Sequence, residues 1–267
     1  MTSKFKIKRI KVPYGALERL SAQERYALFI LGHIFNEIMA LNRMVLLCQP
    51  KDTSLRSSAV KAGFSFNGMF YLRLLAGKLY ESSLILRSKE VSAFLKAHCF
   101  PHLKFDGIAT LKEFNKKTSQ CKWLNAARNG HAMHYPTFEQ THPTLQRLQE
   151  GGAGFEFFVG DRHGETLFWS SDVLASAAFA SEANSVDHGE ALKQIFDDLN
   201  EISRLLLDLT AESINAFVVH HWRGDKKYSD AVKVRDVSTF EIPDFSRFEL
   251  PYFVFVEKLD AAERPDD

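Results

Sequence analysis

Between Ser21 and Cys48 the chain contains no proline, and its apolar residues Leu28, Leu31, Ile34, Phe35, Ile38, Leu41 and Val45 recur at steps of three and four. That spacing places them on one stripe of an α-helix. Ser21 stands where an N-cap is needed and Glu24 follows three positions on, the spacing of a capping box, while Pro50 stops the run. A helix this long with one apolar stripe must bury it against other helices. A second long helix is expected from about Leu55 to Leu86, where Phe70, Leu74, Leu75, Leu79 and Leu86 form a face suited to packing on the first. Gly63, Gly68 and Gly77 permit close approach, or a break, along it. The fold class that follows is mainly α, a helical bundle.

The first helix also contains the most hydrophobic window, Tyr26 to Cys48, yet it carries His33, Asn36, Glu37, Asn42 and Arg43. That is too many polar groups for a bilayer span, so it reads as the core helix of a soluble protein with no membrane partner. The segment from Met1 to Leu20 has Lys4, Lys6, Lys8, Arg9 and Lys11 but no apolar stretch of the kind a secretory leader needs. Cys48, Cys99 and Cys121 are odd in number and widely spaced, with neither a CxxC pair nor a ligand spacing. A reducing, cytoplasmic setting fits them. With 34 basic and 33 acidic residues the chain is not a general polyanion binder, although a local basic patch is compatible with the balance.

The remaining elements follow from punctuation. Phe5 to Val12 alternates apolar and basic residues as a short strand or extended arm ending at Pro13. Short helices are expected at Glu90–Ala97, Gly107–Lys117 and Ser119–Met133, the last ended by Pro136. Phe155–Val159 and Glu165–Trp169 flank a polar, glycine-bounded turn and predict a small β-hairpin. Asp187–Trp222 reads as another long helix, and the chain beyond Arg223 as an irregular or partly stranded C-terminal segment ending in the polar tail Asp260–Asp267. The simplest organisation is one domain over 1–267, with a helical core from 14–140 and 187–223, a hairpin insertion at 150–172 and an extension at 224–267.

The informative motif is Arg128-Asn129-Gly-His131-Ala-Met-His134-Tyr135-Pro136, on a helix in an otherwise helical chain. An arginine followed by asparagine, with a histidine after five intervening residues, resembles the HEPN superfamily of small all-helical domains. The resemblance covers the motif and the two preceding helical hairpins, about half of the chain. It leaves the 155–169 stretch and the last forty or so residues outside. It implies metal-independent cleavage of RNA with no cofactor, in a cleft formed by two motifs across a homodimer, in a defence or RNA-processing role. On that reading Arg128, His134 and Asn129 are the candidate catalytic residues.

The residue types suit the chemistry. RNA supplies its own nucleophile in the 2′-hydroxyl, so the protein needs a proton acceptor, a proton donor and a cation on the phosphate. Histidine titrates near neutral pH, and arginine stays charged and grips phosphate oxygens. On a regular helix His131 lies about 60° from Arg128 and His134 about 120°. Because Pro136 unsettles the helix near His134, His134 ranks first and His131 second. Lys122, Tyr135, Glu81 and Asn36 are candidate substrate contacts. Glu81 either holds the catalytic arginine or histidine, or pairs with Lys78 at helical spacing. Asn36 belongs to the polar stripe of the first helix, which either lines the cleft or faces solvent.

Charge supports a phosphate-binding face: from Lys96 to Arg128 seven basic residues meet two acidic ones, while Asp187–Glu212 carries seven acids and two bases on what reads as a remote helix. His98, His102 and His220-His221 lack the carboxylate or cysteine partners that would complete a metal site. The rival to a nuclease is a non-catalytic helical module that binds a nucleotide, a nucleic acid or a protein partner.

Overall fold

The computed structural model describes residues 7–52, 56–152, 154–161, 163–183, 187–224, 233–237 and 245–254. Lys4 and Lys6 of the basic arm, Arg162 of the expected turn and the polar tail at 260–267 lie outside them.

The chain is mainly α-helical. Nine helices lie among the described residues: α1 (Tyr14–Leu17), α2 (Ala22–Leu47), α3 (Ser58–Arg87), α4 (Lys89–Phe94), α5 (Gly107–Gln120), α6 (Lys122–Ala127), α7 (Phe138–Glu150), α8 (Trp169–Ser181) and α9 (His188–Phe217). The starts follow the caps written in the sequence. Ser21 accepts from the Glu24 backbone N–H while Glu24 reaches back to the Ser21 N–H, closing a capping box. Ser57, Ser88, Asp106 and Asp187 cap α3, α4, α5 and α9 in the same way from one side.

The apolar stripe of α2 buries Leu28, Leu31, Ile34 and Ile38, and the helix packs against α3, α4 and α9. Helix α2 is also the one described helix long and apolar enough to cross a membrane by length and composition. The long α9 contributes Ile195, Leu199, Ile202, Leu206 and Leu209 to the same core, and α5 packs along it.

Three of the expected helices end in a wider turn. Leu95–Cys99, Arg128–Ala132 and Val218–Arg223 bond five residues apart rather than four, as π-turns. Of the helix expected over Ser119–Met133, Ser119 and Gln120 belong to α5, which runs past Lys117, and α6 is α-helical from Lys122 only to Ala127.

Two helices go beyond the periodicity reading. Helix α7 carries Pro143 internally, where the bond lost would have gone to the exposed first turn. Helix α8 packs on α3, α7 and α9 and places Phe179 and Ala180 in the core.

The expected hairpin reduces to one bridge. Phe158 and Leu167 exchange both backbone hydrogen bonds, at 2.9 and 2.7 Å, around a 3-10 turn at His163–Glu165, and no strand forms on either side. Phe155, Phe157, Val159 and Phe168 stay exposed, so the aromatic runs have no second sheet face to bury. The described strands are instead β1 (Ile7–Lys11) and β2 (Lys233–Val237), paired antiparallel with Arg9 opposite Arg235.

The C-terminal segment straps the start of α3. Glu249 takes both Arg56 Nη2 contacts, at 3.0 and 2.8 Å, and the Lys51 N–H at 2.9 Å. Leu250 donates to the Leu47 carbonyl and accepts from Asn67 Nδ2, and the Tyr252 hydroxyl donates to the Thr166 carbonyl.

Candidate functional site

Arg128 opens the π-turn that ends α6, and the turn presses directly on α3. A Cβ built on Gly77 would lie 2.7 Å from the Cβ of Ala132, closer than two carbons can approach, so this crossing requires glycine on α3. One turn further along α3 stands Glu81. Its Oε1 accepts from Arg128 Nε at 2.7 Å, both side chains being about a third exposed. Arg128 Nη1 donates to Asn129 Oδ1 at 2.7 Å, and Asn129 Nδ2 donates to Asn125 Oδ1 at 3.0 Å. Arg128 Nη2 makes no hydrogen bond among the described residues. The guanidinium is thus held on two edges and open on the third.

The two histidines part company. The π-turn changes the angular step, so the alignment expected from a regular helix does not apply. His131 turns inward, its side chain 1% exposed, with its ring edge-on to Phe179 and Nε2 3.4 Å from Glu182 Oε1. Burial depresses its pKa below the usual histidine value and the Arg73 charge adds to that, against the opposing pull of Glu182. A ring closed to solvent cannot meet a phosphate. The second-ranked candidate is thereby a structural residue in this conformation. His134 lies past the end of the turn and is exposed, with no hydrogen-bond partner among the described residues, and no contact joins it to Arg128. Tyr135 is 97% exposed.

No family model, curated protein or solved structure matches this chain. The functional reading therefore rests on the side chains themselves.

The other candidates separate in the same manner. Glu81 does not pair with Lys78: that ammonium goes to Glu37 Oε1 at 2.8 Å, which leaves Glu81 for Arg128. Glu37, with His33 3.5 Å from it, ties the polar stripe of α2 to α3 one turn from Glu81, whereas Asn36 stays exposed with no contact to the Arg128 cluster. Lys122 is exposed at the start of α6. The acidic helix is not remote from the basic run. Helix α9 packs along α5, Lys117 Nζ pairs with Glu201 Oε2 at 2.7 Å, and Trp123 Nε1 donates to Asp198 Oδ2 at 3.0 Å. Part of the basic run therefore serves the bundle.

Behind the site lies a buried pair that motif reading passed over. Arg73 Nη2 meets Asp172 Oδ1 at 3.1 Å and Nη1 donates to Ser176 Oγ at 3.1 Å, pinning α8 to α3. Its one visible signal is a lone cation among the apolar residues Leu72, Leu74 and Leu75. Burial pushes the Asp172 carboxyl above its ordinary value, against the pull of Arg73.

Four further histidines, His98, His102, His220 and His221, gather where two π-turns meet. His102 and His220 stack at 4.1 Å, His98 lies 4.9 Å from His221, and His98 Nε2 contacts Glu24 at 2.6 Å. Among the described residues no group of three or more His, Cys, Asp or Glu side chains is arranged to hold a metal ion.

Proposed function

We propose that this protein is a metal-independent endoribonuclease of the HEPN type, acting as a homodimer in a cytoplasmic setting, in defence or RNA processing. The observation that carries the reading is Arg128: a partly exposed guanidinium held by Glu81 and Asn129, with one edge free, six positions before the exposed His134, which has no hydrogen-bond partner among the described residues. A fixed arginine with a free edge suits the phosphate whose charge grows in the transition state. An exposed histidine suits proton transfer at neutral pH.

In this mechanism His134 takes the proton of the 2′-hydroxyl. The freed oxygen bonds to phosphorus as the bond from phosphorus to the 5′ oxygen breaks. A protonated His134 from the second copy gives the leaving oxygen its proton, and the products are a 2′,3′-cyclic phosphate and a 5′-hydroxyl. Arg128 holds the non-bridging oxygens, and Lys122 and Tyr135 contact flanking nucleotides. Asn129 and Glu81 keep the guanidinium in place.

One observation favours the rival reading of a non-catalytic helical module that binds a nucleotide, a nucleic acid or a protein partner. Glu81 already compensates the Arg128 charge, as a purely structural ion pair would. The deciding experiment is cleavage of a mixed-sequence RNA in EDTA by the wild type, Arg128→Ala and His134→Ala. Cleavage with cyclic-phosphate ends that is lost in both variants supports the nuclease. Cleavage that survives both, or none by the wild type, refutes this site as its source.

A further inference from the structure

We infer that the cavity between the C-terminal end of α2, the first turns of α3 and α9, and α8 is a binding site for a small amphipathic carboxylate, with an apolar tail inside and its head at the mouth. The cavity is about 630 Å³, within the roughly 300–1,000 Å³ of ligand pockets, and lies outside the Arg128 site. Its walls are Phe64, Met69, Trp169, Val173, Leu192 and Phe196. Such a surface takes up hydrocarbon or aromatic bodies through the hydrophobic effect.

The polar atoms say which end of the ligand goes where. Deep in the cavity, Ser176 is already engaged by the buried Arg73–Asp172 pair and offers nothing to a head group. Cys48 is buried and its thiol is pushed up to about 11, so it acts as an apolar neutral wall. The basic residues of the lining are Lys61 and His188, both exposed, and among the described residues no aspartate or glutamate lines the cavity.

Neither the Lys61 ammonium nor the His188 ring has a hydrogen-bond or ion-pair partner among the described residues. This distinguishes Lys61 from Lys78 and Lys117, each held by a glutamate. Lys61 stands in the first turn of α3 and His188 opens α9, so the two basic side chains come from the starts of two long helices. Asp187, the residue before His188, caps α9 by accepting from the Glu190 N–H and is not among the lining residues of the cavity. An exposed ammonium and an imidazole beside an apolar chamber whose described lining holds no carboxylate match an anion that carries a hydrophobic body.

The test uses the full-length protein and decanoate, with decanol as its neutral counterpart, followed by calorimetry and tryptophan emission. The expected result is saturable one-to-one binding of decanoate. Lys61→Met weakens it about fivefold, as loss of an exposed ion pair of about 1 kcal/mol would, and leaves decanol binding unchanged. Gly68 lines the cavity, and a Cβ there meets only Cys48 Cβ at 3.7 Å, so Gly68→Leu fills the space and abolishes binding of both. Of the three tryptophans only Trp169 lines the cavity, so a bromine-labelled decanoate quenches wild-type emission and not that of Trp169→Phe. The quenching locates the ligand even where Gly68→Leu fails to fold. Absence of saturable binding, equal quenching in Trp169→Phe, or a Lys61→Met variant that binds decanoate as the wild type does would overturn the assignment.

Discussion

Replacing Arg73 with methionine removes the cation from a pair whose side chains are only 10% and 9% exposed and leaves Asp172 buried beside Ser176. A carboxylate stranded in this way costs about 3–5 kcal/mol. With a urea slope of about 3 kcal/mol per molar, the upper end for small domains, the unfolding midpoint falls by about 1–2 M. The second arm is Arg73→Met with Asp172→Leu. Removing both charges at once takes away the stranded group, and buried pairs replaced by apolar residues of similar volume are often neutral or better. The double variant therefore recovers most of the loss, with a coupling of several kcal/mol in the cycle. The sign in pH follows from Asp172. Burial already raises its pKa, and without Arg73 only the Ser176 hydroxyl opposes that push, so the folded state takes up a proton more readily than the unfolded chain. The cost of Arg73→Met is greatest near neutral pH and shrinks toward pH 5. Urea melts at pH 7.5 and 5.0 read all of this. A single variant that costs under 1 kcal/mol, or a double variant as unstable as the single, would refute the argument that this pair pins α8 to α3.

Three more outcomes are expected. Valine at Gly77 forces its Cβ into Ala132 Cβ, 2.7 Å away, costs about 1–3 kcal/mol by overpacking and moves the turn that carries Arg128; a thermal melt matching the wild type would contradict it. The folded-state pKa of both His131 and His221 is depressed chiefly by burial, so the unfolded chain takes their protons first and stability is lost as pH falls below about 6.5. The urea midpoint should drop between pH 7.5 and 5.5, and drop less in His131→Phe; equal drops would remove His131 from the account. Glu249→Ala releases the carboxylate that ties the C-terminal strap to Arg56 and Lys51, so limited proteolysis should cut near 249–254 faster than in the wild type. An unchanged cleavage rate at that strap would show that Tyr252 and Leu250 hold it without Glu249.

Elements whose signals are local were legible in the chain. Ser21 with Glu24, the three-four step of α2 and the long periodic run of α9 each depend on residues within one or two turns, and each appears as read. Helix α8 was not legible because Ala, Ser and Phe line it on several sides and it packs on three neighbours, so no polar face marks a period. Helix α7 was hidden by its high polarity and by Pro143. The aromatic alternation at 155–169 looked like a hairpin, but a strand pair needs a partner surface for its apolar face, and only the Phe158–Leu167 bridge forms.

The candidate site divides along the same line. Arg128, Asn129 and the exposed His134 were visible as a motif because they lie within seven residues of one another. Their surroundings come from far away: Glu81 is 47 residues from Arg128 and Glu182 is 51 from His131. His131 sits in a π-turn that spacing alone does not announce, and that turn packs with Ala132 against Gly77 of α3. Cap chemistry and apolar period act over a turn of helix, so the sequence by itself determined a helical bundle and where its long helices start. Which charges meet, which histidine is buried and where a cavity opens depend on side chains that only packing brings together, and the tertiary structure alone decided those.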